Sequence, residues 1–306
     1  MNPIRLGLVG YGKIARDQHV PAIAEDARFT LAAIADPAAS GPAENFASLE
    51  AMLAGSDIDA VVLSQPPAFR FEAAMRAIEA GKHVFLEKPP GTTMGEVRQL
   101  LHAAVAQGVT LYTAWHSRMA PGVRRLKAML DETQIHRIDI TWREDVRVWH
   151  PGQRWLWEQR GFGVFDPGIK ALSILTELLD DAPRLIEAEL DIPENCAAPI
   201  AARLRLATAR GAPIHADFDF REEGEERWTF AIDTSIGRLD LTAGGARLAQ
   251  NGQAIELPAN REYADLYAAF AGLIDRGACD VDPAPLALVA DAWLACTRRA
   301  AASFLP

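Results

Sequence analysis

Between residues 4 and 114, short apolar runs alternate with helix-like stretches, and each run meets a glycine or a polar residue within two positions of its carboxyl end. Ile4 to Val9, Phe29 to Ala35, Ile58 to Leu63, Val84 to Leu86 and Val109 to Ala114 read as strands. Ser48 to Leu53, Phe71 to Ala80 and Thr93 to Gln107 read as helices, the last two stopped by Gly81 and Gly108. Apolar strands separated by helices of this length predict a parallel, doubly wound sheet buried on both faces. Such a sheet binds ligands beyond the carboxyl ends of its strands, so the residues at those ends are the first candidates for function.

The first strand runs into Gly10-Tyr11-Gly12-Lys13-Ile14-Ala15, after which a helical pattern begins that Pro21 is expected to interrupt. In this G-x-G-x-x-A turn the glycines allow a pyrophosphate close to the main chain, and a helix start offers it free N–H groups. The second strand ends in Asp36, 21 positions after Ala15. A carboxylate there accepts hydrogen bonds from the adenine-ribose hydroxyls and repels a 2′-phosphate, and Pro37, Ala38 and Ala39 supply no arginine to offset that repulsion. The pattern favours NAD, with NADP as the alternative; without a cofactor Asp36 is a plain turn residue. The loop Ser64-Gln65-Pro66-Pro67 is expected along the cofactor's ribose and nicotinamide. In Val84-Phe85-Leu86-Glu87-Lys88-Pro89-Pro90-Gly91 a strand delivers an adjacent acid and base into prolines that cannot continue a ladder. Lys88 is therefore a candidate for chemistry, against the alternative of a solvated Glu87-Lys88 turn.

From about residue 120 the period changes. After a helix from Pro121 to Leu130, Arg137 to Trp149 reads as one long strand with Ile138, Ile140, Trp142, Val146 and Val148 on its apolar face. Glu144 is the only charge on that face and needs a partner, either a polar ligand or a neighbouring arginine. Further alternating segments at 185–192, 200–207, 214–220, 227–233 and 238–242, with a hairpin across Asn251-Gly252, predict an open, mainly antiparallel sheet. Helices from Glu262 to Arg276 and from Pro285 to Ala302 close the chain. The fold class is thus α/β: a Rossmann domain over 1–118, then an α+β domain over 119–306 whose uncovered sheet face is expected to pair with another copy, as a dimer or tetramer. Between two of its strands, Gly161-Phe162-Gly163-Val164-Phe165-Asp166-Pro167-Gly168 leads into a helix that carries Lys170. Asp166 has the look of an N-cap before proline, and Lys170, four residues on, of its ion-pair partner; both also stand as titratable groups at one helix mouth.

Composition narrows the partners. The net charge of −10 is spread through interleaved acids and bases, with no basic run to track a phosphate backbone, so nucleic acid is not expected. The three cysteines lie far apart without zinc-ligand spacing, and no metal is expected. No signal-peptide pattern and no long uncharged span occur, which predicts a cytoplasmic protein with no membrane partner.

Together, GYGKIA, EKP after a strand and GFGVFDPGIKAL ahead of a helix resemble the glucose-fructose oxidoreductase, inositol dehydrogenase and rhizopine catabolism (Gfo/Idh/MocA) family over essentially the whole chain. EKPPG at 87–91, WHSR at 115–118 and the Trp149-His150 pair resemble its galactose and arabinose 1-dehydrogenase branch. The resemblance implies an NAD(P)-dependent oxidation of a sugar at C1 to the aldonolactone. It implies Lys88 and Asp166 as the catalytic pair, and Gly10, Gly12, Lys13, Ile14, Asp36, Ser64, Gln65, Pro66, Glu87 and Lys88 along the cofactor. His116, Glu144, Trp149, Asp166, Lys170 and Trp228 match sugar-contacting positions, although tryptophans also serve as core. Lys170 departs from the pattern: the family more often has histidine there, and this branch asparagine. The alternatives are a dehydrogenase of another polyol or sugar acid, and a dinucleotide-binding sensor without turnover.

Overall fold

The computed structural model describes residues 2–305 except Ala39 and Glu132. The contribution of Ala39 to the cofactor preference therefore lies outside the described residues. The chain forms two compact units, Met1–Trp115 with Glu262–Pro283, and His116–Arg261 with Ala284–Pro306.

In the first unit, β1 (Ile4–Val9), β2 (Phe29–Ala35), β3 (Glu44–Phe46), β4 (Ala60–Leu63), β5 (His83–Glu87) and β6 (Leu111–Ala114) make one sheet in the order β3-β2-β1-β4-β5-β6. Every pair in it is parallel. The central strands β4 and β5 are almost wholly buried, as strands covered on both faces must be. The connections carry α1 (Val20–Glu25), α2 (Leu49–Gly55), α3 (Arg70–Glu79) and α4 (Met94–Gln107). Thr93 Oγ1 caps α4 by accepting from the Glu96 N–H, and Glu96 reaches back to accept from the Thr92 N–H. Pro21 does not interrupt the first helix. The chain is helical from residue 13, widens into a π-helical turn over Ala15–His19 and continues as α1. The wide turn lets the helix pass Pro21, which follows it at the start of α1, without a break. The edge strand β3 is three residues long, too short to show a period.

The second unit contains α5 (Pro121–Leu130), β7 (Ile135–Arg143), the short α6 (Val146–Trp149), α7 (Phe165–Leu178), β8 (Arg184–Pro193), β9 (Ala201–Ala207), β10 (Pro213–Asp219), β11 (Arg227–Thr234), β12 (Gly237–Thr242), β13 (Arg247–Gln250) and β14 (Gln253–Ile255). The helix α8 (Glu262–Arg276) then returns to the first unit, and α9 (Ala284–Ala295) with β15 (Cys296–Ala301) completes the second. The nine strands run in the order β14-β13-β12-β11-β7-β10-β9-β8-β15. Two pairs, β7 with β10 and β8 with β15, are parallel and the others antiparallel.

Two expectations are corrected here. The strand expected to reach Trp149 ends at Arg143, because Asp145 accepts from the Arg147 N–H and starts a helical turn that leaves Val148 70% exposed. The helix expected to reach Ala302 ends at Ala295. Cys296–Ala301 instead pairs along the exposed edge of β8, where ladder hydrogen bonds outweigh the helix preference of its arginines and alanines. The returning α8 fits the first unit through its aromatic face: Tyr267 stacks on Phe85 with centroids 5.0 Å apart, and Phe270 meets Phe29, Phe85 and Tyr112.

Candidate active site

In the first unit the expected residues converge at the carboxyl ends of β1, β2, β4 and β5. Gly10 has φ +85°, and a β-carbon on it would lie 3.1 Å from the Gln65 main-chain nitrogen, so a larger residue would be strained and crowded in this turn. A β-carbon on Gly12 would meet nothing within 4 Å, which leaves the main chain open to a close ligand. Lys13 and Ile14 start the helix beyond it; Lys13 is exposed and pairs with Asp17, and Ile14 is 37% exposed. Asp36 Oδ2 accepts from the Tyr11 N–H at 2.7 Å and Oδ1 from the Ala38 N–H at 2.8 Å, so the carboxylate is fixed against the glycine turn. Ser64 Oγ donates to the Gly10 carbonyl at 2.6 Å and ties the turn to the end of β4. Gln65 donates to the Phe69 carbonyl, while its Oε1 is buried without a hydrogen-bond partner. Pro66 precedes a short 3-10 turn at Pro67–Phe69. An open glycine turn, an anchored carboxylate at the end of β2 and a bare amide oxygen at the end of β4 suit a dinucleotide, whose hydroxyl and amide donors can meet these acceptors.

Glu87 is 3% exposed, and its Oε2 accepts from the Lys88 N–H at 3.0 Å. The Lys88–Pro89 peptide bond is cis. Sequence reasoning missed the residue that braces this loop. Arg70, buried at the start of α3, donates through Nε to the Gln65 carbonyl at 2.9 Å and through Nη1 to the Glu87 and Pro89 carbonyls at 2.8 and 2.5 Å. A signal was present: a cation in the first turn of a helix opposes the helix dipole and calls for another reason to be there.

The second unit collects Glu144, Trp149, Lys170 and Trp228 around Trp142, with Asp166 reached through His150. Trp142 on β7 and Trp228 on β11 are register partners, and their rings stack 5.7 Å apart; Trp149 lies over Trp228 at 5.2 Å. Glu144, one step past the end of β7, is 1% exposed. Its Oε2 accepts from Trp228 Nε1–H at 2.9 Å, and its Oε1 has no hydrogen-bond partner among the described residues. Its hydrogen-bond partner is thus an indole; among the described residues no arginine supplies one.

Asp166 is not the N-cap of α7. Val164 takes that position without a side-chain bond, and Asp166 sits buried in the first turn. The preceding Gly163 makes this approach feasible, with φ +50° and the Pro199 carbonyl only 2.2 Å from where a β-carbon would stand. Lys170 makes no ion pair among the described residues; its ammonium lies over the rings of Trp228 and Trp142, at 5.5 and 6.0 Å.

His150, without an assigned role in the sequence, stands between the two carboxylates. Its Nε2 is 3.8 Å from Glu144 Oε1 and 3.6 Å from Asp166 Oδ2, and its Nδ1 faces Gln153 Oε1 at 3.4 Å. His116 begins a short turn packed against α7, with Nδ1 3.4 Å from Ser117 Oγ. This cluster offers indole faces, an acceptor awaiting a donor and a cation, a combination suited to a ring that bears several hydroxyls.

Among the described residues no group of His, Cys, Asp or Glu could hold a metal ion, and no helix is long and apolar enough to cross a membrane. A model of an oxidoreductase family with an NAD-binding Rossmann fold matches residues 4–115. Galactose 1-dehydrogenase of Pseudomonas fluorescens is 42% identical over 307 aligned residues, covering 99% of either chain. The crystal structure of D-galactose-1-dehydrogenase from Rhizobium etli is 46% identical and superposes with a TM-score of 0.95, over 100% of this chain and 99% of that one. A 3-ketoreductase from Actinomadura kijaniata, solved with NADP and TDP-benzene, has the same fold at 22% identity, with a TM-score of 0.88 over 98% of this chain and all of that one.

Proposed function

Because the chain belongs to the glucose-fructose oxidoreductase, inositol dehydrogenase and rhizopine catabolism family of NAD(P)-dependent oxidoreductases, we propose that it oxidises an aldose at C1 to the aldonolactone. D-galactose and L-arabinose are the substrates assigned, since the two rings differ only in the C5 substituent. The observation that carries this reading is the bare, buried Glu144 Oε1 beside the Trp142, Trp149 and Trp228 rings. A hydroxyl donor completes that carboxylate, and a sugar's C–H face covers the indoles. Full-length likeness to two galactose dehydrogenases supports it.

The first unit binds the cofactor through Gly10, Gly12, Lys13, Ile14, Asp36, Ser64, Gln65, Pro66 and Glu87, and the anchored Asp36 favours NAD over NADP. Bound nicotinamide supplies the hydride acceptor. Lys88 and Asp166 form the catalytic pair, one holding the C1 hydroxyl and the other taking its proton. His116, Glu144, Trp149, Lys170 and Trp228 bind and orient the sugar. The outer face of the large sheet serves self-association: around a concavity of about 490 Å³ it presents alternating charges such as Asp139, Glu189, Arg203 and His215, a pattern that a second copy can complement. Charge reversal at Arg203 is expected to lower the mass seen by sedimentation.

A sugar acid is the second reading, favoured by Lys170, whose ammonium lacks an ion-pair partner among the described residues. Initial rates of NADH formation with D-galactose, L-arabinose, D-fucose, D-glucose and D-galacturonate, for the protein and for Lys170→Asn, decide between them. Fast turnover of the neutral sugars supports the aldose reading. Preference for the uronate, lost in Lys170→Asn, replaces it with the second. Tight NAD binding without turnover of any sugar rejects both.

A further inference from the structure

Beneath the strand end that carries Lys88 runs a line of four buried polar side chains. Tyr267 Oη lies 2.9 Å from His19 Nδ1, and His19 Nε2 lies 3.2 Å from Glu87 Oε1. Tyr263 Oη donates to the same Oε1 at 2.7 Å, while Glu87 Oε2 accepts from the Lys88 N–H at 3.0 Å. The protons follow from the acceptors. A carboxylate only accepts, so the His19 hydrogen sits on Nε2, and Nδ1 accepts from Tyr267. Burial, and then the charge of Glu87, push both tyrosine hydroxyls well above their ordinary range, so they stay donors.

The groups facing Glu87 come from three elements. His19 comes from the helix that follows the glycine turn, and Tyr263 and Tyr267 from α8, with Glu262 adjacent in sequence. Arg70 of α3 holds the Glu87 carbonyl. His19 and Tyr267 are 0% exposed, Glu87 3% and Tyr263 7%. A line closed to water at both ends cannot deliver a proton to solvent, so its capacity is restraint. It reaches Lys88 through that residue's main-chain N–H, which Glu87 Oε2 holds.

We propose that His19 and Tyr263 are positioning residues for Lys88, acting through the Glu87 carboxylate. Together they hold the lysine in register with the glycine turn on one side and with α8 on the other. This inference rests on the assignment of Lys88 to the catalytic pair.

The test compares Tyr263→Phe, His19→Ala, His19→Gln and Lys88→Met. For each, kcat and KM are measured with the preferred sugar, and the NAD+ Kd by tryptophan quenching. Tyr263→Phe and His19→Ala are expected to lower kcat roughly 10- to 100-fold, as misplacement of a reacting group does, with the NAD+ Kd held within about twofold. His19→Gln, whose amide can donate near the position of Nε2, is expected to recover most of that loss. A purely structural role would lower the melting temperature of these variants and leave the kcat of the folded fraction unchanged. Unchanged kcat in Tyr263→Phe and His19→Ala, with loss in Lys88→Met, overturns the positioning role alone. So does a parallel loss of NAD+ affinity that His19→Gln fails to restore. Full activity in Lys88→Met overturns the catalytic assignment and this inference with it.

Discussion

Replacing Glu144 by glutamine is expected to move stability and activity in opposite directions. The carboxylate is 1% exposed, takes one hydrogen bond from Trp228 and leaves Oε1 bare. A buried polar atom without a partner costs about 1–3 kcal/mol, and more when it carries charge. The amide keeps an acceptor for the indole N–H and removes the charge, so part of that cost is recovered. At roughly 2–4 °C per kcal/mol for a unit of this size, recovering about half of that cost should raise the apparent melting temperature of the free protein by about 1–6 °C. Catalysis should suffer. A hydroxyl bound to a buried carboxylate contributes about 1.5–3 kcal/mol, so kcat/KM for the preferred sugar should fall roughly 10- to 150-fold. Scanning calorimetry and NADH-formation kinetics at about pH 8, above the range where free imidazole is protonated, keep a change in histidine charge from confusing the result. A melting temperature lowered by the substitution, or kcat/KM held within about threefold, would refute the reasoning that this oxygen is kept bare for a ligand.

Arg70→Lys should destabilise the first unit by about 3 kcal/mol or more, because an ammonium cannot reproduce a fork to three carbonyls; urea unfolding followed with NAD+ titration reads both the stability loss and a weakened cofactor site. Asp36→Ser should shift the ratio of kcat/KM for NADP over NAD upward by roughly 10- to 100-fold, since the carboxylate that repels a 2′-phosphate is gone; an unmoved ratio would show that another group sets the preference. Burial pushes the His83 imidazole below its ordinary range, and its Nδ1 accepts from the Thr110 N–H at 2.9 Å. Because the folded value lies below the unfolded one, this contribution to stability is intact above about pH 6.5 and is lost as pH falls toward the folded value. His83→Gln should flatten that slope in urea midpoints taken from pH 8 down to about pH 5.

The first unit was legible because β1, β2, β4 and β5 are apolar runs, each leading into a residue type with few other uses at that place: Gly10, Asp36, Ser64, and Lys88 just past Glu87. Where periodicity misled, a local bond decided the outcome. The 138–148 alternation continued on paper past Arg143, but the Asp145 cap turned the chain there. The 296–301 segment reads as helix until an open strand edge is available to pair with it. Glu144 was visible as a charge out of phase with its neighbours, yet its indole partner lies 84 residues away and only the β7–β11 register brings it close. His19 occupies an apolar-face position beside Ala15, Ala22 and Ile23, a polar intrusion that could have been noticed. Its partner Tyr267 could not, since nothing in the pattern of 262–276 gives that helix an address 248 residues back.

The return of α8 has a consequence for the order in which the protein can be made. Tyr267 and Phe270 complete the aromatic cluster of Phe29, Phe85 and Tyr112, and Tyr263 donates to Glu87. While the chain emerges from the ribosome, its nucleotide-binding half therefore carries an open apolar seam until nearly all of the intervening sheet has been translated. Fragments that stop near residue 118 keep every strand of the first sheet and the whole glycine turn, but should associate through that seam. Residues 262–283 supplied as a separate peptide should be able to close it.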